Sequence, residues 1–372
     1  MKKIEELKNW YLENFEDYLF GRYIHLQTIS KLIDQYSTKF KVEIAGHSVN
    51  ELPIHKILLG NGPKRIMMWS QMHGNESTTT KAVFDLLKFL SSDNQLSATI
   101  LNNSTLCIVP ILSPDGAKAY TRVNANEIDL NRDAQDMSQP ESKVLRSLYN
   151  DFKPHFCFNL HDQRTIFSAG ATNMPATVSF LSPSEDKERT ITDTRKKSME
   201  VIAVMNSVLQ QIIPNQVGRY DDGFNINCVG DTFQSLGVPT ILFESGHYQG
   251  DYNREKTREL IFYSLVKAIE YISINNVTGA KHEDYFTIPE NDKLFLDIIY
   301  RSFPLIKDGK EIKTDIGIFF KETLLDDKIE FVPQVEKLGN LSHLFGHKEF
   351  TENNISYNSM DIEEFKTAYL NL

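Results

Sequence analysis

Cysteine is scarce in this chain, and the few present are not spaced for a shared task. Cys107, Cys157 and Cys228 are the three in 372 residues, and no CxxC pair exists. Two of them sit inside apolar runs. That excludes a disulfide framework and a Cys-ligated zinc, and leaves small buried hydrophobes of a reducing compartment. Positive charge is also short: 40 Lys and Arg face 50 Asp and Glu, a formal net charge of −10. No Lys/Arg-rich run interrupts this balance. Nucleic acid is therefore not an expected partner, because such binding rests on cations that neutralise phosphates. No apolar run approaches the roughly 20 residues of a membrane span. The start, Met1 to Glu6, lacks the apolar core of about 7–15 residues that a signal peptide needs. The expectation is a cytoplasmic protein with no membrane partner. HExxH and GxSxG are missing too, and Gly60-Asn61-Gly62-Pro63-Lys64 reads as a strand-bounding turn, not a phosphate loop.

What is present is an ordinary globular composition, 41% hydrophobic and 24% charged, on a chain long enough for one large domain and a smaller one. Residues 1–37 read as a helical segment, with Trp10, Tyr11, Phe15, Leu19 and Tyr23 at three- and four-residue spacings. Strands are expected at 40–45 and 53–59, joined by a turn at Gly46-His47-Ser48. Residues 65–70 form an apolar run of the kind buried on both faces of a sheet. A helix at 77–92, a strand at 104–112, a helix at 141–152 and a strand at 156–160 continue the alternation. A strand at 177–181, a long helix over 185–212, a last buried strand at 239–243 and an amphipathic helix at 253–274 complete it. Strands alternating with helices predict an α/β domain over 38–278, with a mixed, largely parallel central sheet flanked by helices. Residues 279–372 look short-stranded and turn-rich, a small β-rich region with a weak helix signal at 361–369.

Ligands of open α/β sheets bind beyond the carboxyl ends of the strands. His73 and Glu76 follow the 65–70 strand, His161 follows the 156–160 strand, and Glu244 ends the 239–243 strand. Two histidines and a glutamate are a well-attested set for hydrolytic zinc, which keeps a further position for water. Gly74 suits the tight strand-to-helix turn between His73 and Glu76, and Asn159 and Asp162 are placed to orient an imidazole. Each residue also has a plainer reading. A lone HxxE is weak, a strand-end histidine is often a hydrogen-bonded core residue, and a glutamate placed like Glu244 often pairs simply with a lysine or arginine. The joint placement favours the metal site.

Further motifs sit between these residues: Ser113-Pro114-Asp115-Gly116, then Arg122-Val123-Asn124, then Asp129-Leu130-Asn131-Arg132. With His-Gly-Asn-Glu before them, and a late histidine and glutamate at strand ends after them, the order and spacing over about residues 40–275 resemble the zinc carboxypeptidase (funnelin) family. His-Gly-Asn-Glu alone is shared with the aspartoacylase/succinylglutamate desuccinylase branch. The resemblance implies one Zn2+ per chain, held by His73, Glu76 and His161. It implies that Asn131 and Arg132 hold the carboxylate of a peptide or small amide substrate, and that Arg122 steadies the oxyanion. Glu244 would take a proton from zinc-bound water and pass it to the leaving amine. Salt bridging at the surface is the plain reading of Arg122 and Arg132. This chain departs from the family pattern at Glu127, where glycine is usual. Tyr220 is a candidate for the tyrosine that digestive carboxypeptidases carry before the catalytic glutamate. Asp231 would either meet a cationic group, such as a basic side chain or the free amine of a diamino acid, or cap the helix that follows. His247 would touch substrate or be structural.

The runner-up is an aspartoacylase-like deacylase of N-acyl amino acids, which shares His-Gly-Asn-Glu and Asn-Arg. Two histidines and a carboxylate also make the iron site of oxygenases, but that set expects a β-barrel and gives Glu244 no role. A metal-free binding protein on the same scaffold would usually have lost one of these residues, and none is lost.

Overall fold

The computed structural model describes residues 2–353 and 357–370. The chain opens with α1 (Lys2–Asn14) and α2 (Leu26–Ser37), then β1 (Lys41–His47), β2 (Pro53–Leu59), β3 (Lys64–Trp69), α3 (Thr78–Leu90), α4 (Gln95–Asn103) and β4 (Ser104–Val109). It continues through α5 (Pro114–Ala119), α6 (Pro140–Phe152), β5 (Phe156–Asp162), β6 (Phe167–Ala169), β7 (Val178–Leu181) and α7 (Asp193–Leu209). β8 (Val217–Arg219), α8 (Val229–Ser235), β9 (Thr240–Ser245) and α9 (Glu255–Ile274) close the first part. Eight strands form one sheet in the order β1-β2-β4-β3-β5-β9-β7-β8. Its centre, β4-β3-β5-β9, is parallel, and antiparallel pairs flank it at β2–β4 and β7–β9.

Both faces of the centre are covered, as the continuous apolar runs require. Ile66 and Met68 point into a core shared with α1, α2, α3, α7 and α9, while Met67 and Trp69 point into another shared with α6 and α8. The period-two alternation of a strand splits one hydrophobic run between two cores. β3 lies between β4 and β5, so the chain leaves it toward one side first and returns on the other. The carboxyl ends of β3 and β5 flank that switch point, where a crevice opens.

Several expectations need correction. The helical segment over 1–37 is two helices, because residues 15–25 are held in an irregular, turn-containing connection from outside. Arg258, fully buried and paired with the buried Asp85 (Nε–Oδ2 2.7 Å), also donates to the carbonyls of Glu16 and Leu19 (both 2.6 Å). A carbonyl taken this way is lost to the helix ladder, and Gly21 sits at φ +76. Gly46 and His47 belong to β1, at a bulge between Ile44 and Gly46, and the turn comes later. The helix expected from 185 starts at Asp193, where the Thr192 hydroxyl accepts from the Arg195 N–H; Pro183 and a left-handed Arg189 (φ 57) precede it. α4 and α5 were not anticipated, and α8 starts at Val229, ahead of the start expected at Asp231.

The C-terminal part is not short-stranded. β10 (Asn291–Lys293) pairs with β6, and β11 (Phe295–Lys307), β12 (Lys310–Leu325), β13 (Lys328–Gly339) and β14 (Phe345–Phe350) form a sheet ordered β13-β12-β11-β14. α10 (Ile362–Phe365) covers one face through Phe365, packed with Tyr300 and Phe303. The other side meets the larger sheet's loops. Glu322 of β12 pairs with Arg22 (3.0 Å), Tyr252 donates to Asp297 of β11 (3.0 Å), and His347 of β14 donates from Nε2 to the Thr165 carbonyl (2.8 Å).

Candidate active site

The turn after β3 sets the first two site residues. Gln71 stands in the left-handed region (φ 43), and its amide donates to the carbonyls of Ile24 and Gly74 (both 2.8 Å). Gly74 is required by proximity: a Cβ there would lie 1.8 Å from the Gly116 carbonyl carbon. This packing brings the Pro-Asp-Gly segment against the His-Gly-Asn-Glu turn. His73 and Glu76 are thereby fixed beside the end of β5, where His161 emerges.

The three side chains converge. His73 Nδ1 lies 2.8 Å from Glu76 Oε1, His161 Nδ1 lies 2.8 Å from Glu76 Oε2, and the two Nδ1 atoms are 3.1 Å apart. All three residues are buried, and their ligand atoms fall within 4.8 Å of one another. Protons on both Nδ1 atoms would set two N–H groups against each other at 3.1 Å, and Asp129 would ask His73 for a further proton at Nε2, whereas a cation between the three groups satisfies every lone pair. Zn–N bonds of about 2.0–2.1 Å at tetrahedral angles separate two nitrogens by roughly 3.3 Å, close to the spacing seen. Burial alone would lower the His73 pKa, but Glu76 and Asp129 hold it above its ordinary value. Burial lowers that of His161. Against the burial that would raise it, the two histidines pull Glu76 well below the usual carboxylate range.

Asp129, absent from the expected site residues, orients the first ligand: its Oδ1 lies 2.9 Å from His73 Nε2. Carboxylates in that position fix the ring and its tautomer. The expected orienting residues do something else. Asp162 accepts from the N–H groups of Thr78 (2.9 Å) and Thr79 (3.4 Å), capping α3 from outside, and Asn159 Oδ1 is buried with no hydrogen-bond partner. Only the position of Asp129 within Arg-x-Asn-x-x-x-x-Asp-Leu-Asn-Arg could have flagged it.

Around this cluster lies a cavity of about 760 Å³. Glu244 lines it, one strand from His161, with Oε2 buried and unpartnered. Burial, then the carboxylates of Glu76 and Asp162, raise its pKa well above the usual value. Arg122 lines it too, 3.3 Å from Glu76 Oε1 and 3.0 Å from Asp129 Oδ2, and is half exposed. Arg132 donates to the Asn131 carbonyl (2.7 Å) and contacts Cys228 Sγ (3.1 Å). Neither is a simple surface ion-pair residue, since both face the cavity. The Asn131 side chain accepts from the Val229 N–H (3.0 Å), tying the Arg132 turn to α8.

Tyr220 lines the cavity, and burial, then Glu244 and Glu76, raise its phenol. Asp231 lines it as well, and the helix-cap reading is overturned. α8 begins at Val229, and the Asp231 carboxylate accepts instead from Ser184 N (3.1 Å) and Asn225 N (3.0 Å), both outside that helix. Burial raises its pKa to about 6. His247 is not among the cavity's lining. It is buried against Tyr252 and His347, with ring centroids at 4.6 and 4.3 Å, and neither ring nitrogen has a hydrogen-bond partner. Its side chain serves the junction with the C-terminal sheet, which no local motif signals. Arg254 was likewise not anticipated: fully buried, it donates to the carbonyls of Ser245 and Gln163, clamping the loops after β9 and β5.

A mixed α/β sheet carrying a buried two-histidine, one-carboxylate centre at its switch point defines a metal-centred protein. The zinc carboxypeptidase family profile matches residues 25–213, half of the chain, and the chain belongs to that family. Zinc is the family's metal, and His73, Glu76 and His161 are the group that fits it. Carboxypeptidase 2 of Trichophyton rubrum is 27% identical over 109 residues, 29% of this chain and 20% of that protein. Gamma-D-glutamyl-L-diamino acid endopeptidase 1 of Lysinibacillus sphaericus is 38% identical over 79 residues, 19% of this chain and 20% of that protein. The matches thus span about a fifth of these curated relatives. Among solved structures, a metallo-carboxypeptidase from Burkholderia cenocepacia superposes with a TM-score of 0.51 at 16% identity, over 64% of this chain and 66% of that one. Carboxypeptidase A from Helicoverpa armigera gives 0.51 at 14% identity, over 72% and 80%. At such identities the likeness is one of fold.

Proposed function

We propose that this protein is a metallocarboxypeptidase that hydrolyses an amide next to a free substrate carboxylate. One observation carries the reading: the metal-binding trio, a glutamate whose buried Oε2 has no partner and an arginine with no carboxylate partner among the described residues share a single cavity. When bound, zinc polarises the scissile carbonyl and acidifies water. Arg132 pairs with the substrate carboxylate, its planar fork matching two oxygens, and Asn131 holds the turn that presents it. Arg122, anchored on Asp129, balances negative charge as the carbonyl oxygen becomes tetrahedral. Glu244 accepts one proton from the attacking water and delivers it to the amide nitrogen as the C–N bond breaks. Burial and then the charge of Glu76 raise Glu244; a cation on Glu76 offsets the second of these and so favours the ionised, working form of the base.

Asp231 favours a basic group on the leaving side, either a side-chain cation or the second amine of a diamino acid. The latter matches the name of the Lysinibacillus relative. The test is a mixed panel of peptides, γ-glutamyl peptides and N-acyl amino acids, offered to the protein and to Glu244→Gln with products read by mass. Release of single C-terminal residues by the unaltered protein alone supports the reading. Turnover of N-acyl amino acids and not peptides would transfer the protein to the deacylase class.

A further inference from the structure

Six cationic side chains line the cavity, and half are already neutralised or committed. Arg22 pairs with Glu322, and Arg122 with Glu76 and Asp129. Arg254 is buried and spends its Nη groups on carbonyls. Among the described residues, Arg132, Arg164 and Lys321 have no carboxylate partner. The substrate carboxylate accounts for Arg132. Two cations remain, and they belong to a different wall.

That wall is the face of β12 and β13. Phe319 lies opposite Gln334 in the antiparallel register. The Arg164 guanidinium, carried by the loop just after His161, stacks on the Phe319 ring at 5.4 Å. Lys321, two residues beyond Phe319, stands on the same face of the strand, about 7 Å further along. Among the described residues no carboxylate pairs with Lys321: Glu330, on the same face, lies two positions from its cross-strand partner Val332, roughly 7 Å along β13, and Glu336 lies further still. Lys321 pairs with Val332, so Glu336 lies four positions away along β13, roughly 13 Å at strand spacing. No hydrogen bond or ion pair between described residues links Arg132, Asn131 or Asp231 to β12 or β13. The two cation groups are separate, with the metal trio lining the same cavity.

We propose that the C-terminal sheet is a specificity wall, on which Arg164 and Lys321 bind a second anionic group carried by the acyl part of the substrate. This deepens the function proposed above and rests on it for which side of the scissile bond faces the wall. The substrate class is then a doubly anionic amide: one carboxylate beside the leaving amine, on Arg132, and another on the acyl side, on Arg164 and Lys321. Phe319 holds Arg164 in place by cation–π contact, and the Arg22–Glu322 pair holds the wall against the catalytic sheet.

The test is calorimetric titration of the zinc-loaded Glu244→Gln protein, which binds without turnover, with N-succinyl-alanine and N-butanoyl-alanine. These ligands differ by the acyl-side carboxylate. The expected result is about tenfold tighter binding of the succinyl ligand, the size of one exposed charge-assisted contact. Lys321→Gln and Arg164→Gln should each bring the ratio toward one, Lys321→Arg should restore it, and added salt should shrink it. Equal affinities, a preference untouched by both variants, or binding of neither ligand would overturn the proposal. A protein that binds the pair with the expected preference, yet whose unaltered form cleaves no amide, would sink the proposed activity and leave this wall standing.

Discussion

His161 and Glu244 face each other in register on adjacent parallel strands, β5 and β9. Both stand at the carboxyl end of the sheet, so a metal-site histidine and the proposed acid–base group are fixed by backbone pairing, not by loops. The ladder predicts separable phenotypes. Glu244→Gln should retain zinc, because the carboxylate is outside the trio, while kcat falls by a factor of about 10³ or more. His161→Ala should lose the metal itself. Metal content by plasma mass spectrometry beside the rate decides it: a zinc-free Glu244→Gln or a fully loaded His161→Ala would break the assignment.

Asp129 touches His73 but not the metal position, and its influence should appear as affinity. Asp129→Ala frees the ring and also strips Arg122 of its closest anchor. Zinc affinity should fall by about 10–100-fold, as measured by competition with a chromophoric chelator. Asp129→Asn, which keeps a hydrogen-bonding oxygen, should fall less. Unchanged affinity in both would mean that the 2.9 Å contact with Nε2 does not steer the ligand.

The C-terminal sheet is docked beside the site by a charge that cannot be left alone. Arg22, 5% exposed at its side chain, has Glu322 at 3.0 Å and Asp162 only at 4.0 Å. Glu322→Ala therefore leaves a buried guanidinium short of its partner, which should cost about 3 kcal/mol. Glu322 is itself a quarter exposed, so water will recover part of that. Calorimetry should show a lowered unfolding temperature, and proteolysis should cut first at the junction. A variant as stable as the parent would show that the pair is incidental.

Much of this was legible because chemistry and periodicity fall on the same segments. The run Arg65 to Ser70 declares a strand buried on both faces, and His73 and Glu76 follow it at once, so strand and site share one stretch. The same holds at His161 and Glu244. What stayed hidden is what acts across the chain. Asp162 looked like the partner of a neighbouring imidazole, but α3 begins beside it and its N–H groups claim the carboxylate. His247 sits three residues from Glu244, yet the burial of His347 draws it under the C-terminal sheet. That sheet's contribution to the cavity, from Phe319 to Glu336, carries no motif, since its residues meet the site only after β12 is docked. Glu127, where the family usually has glycine, is left-handed at φ 62; the position asks for glycine, but the turn is held by Asn124, whose side chain accepts from the N–H groups of Asn126 and Ile128 (both 3.1 Å).

Asp231 would tie the proposed preference for a basic leaving group to pH. Burial lifts its carboxyl to about 6, against the two N–H bonds from Asn225 and Ser184 that favour the ionised form. A raised carboxyl is neutral below that value and charged above it, so its attraction for a cation switches on as pH rises. The ratio of kcat/KM for a peptide ending in lysine over one ending in leucine should be full near pH 8 and about half that near pH 6. It should be mostly gone near pH 5, following a single proton. Taking the ratio cancels the titration of Glu244 and of the metal site, which both peptides share. Asp231→Asn should flatten the profile at its low-pH level. A ratio that stays constant from about pH 5 to 8 in the unaltered protein would show that the basic group, if one is read at all, is read by another residue.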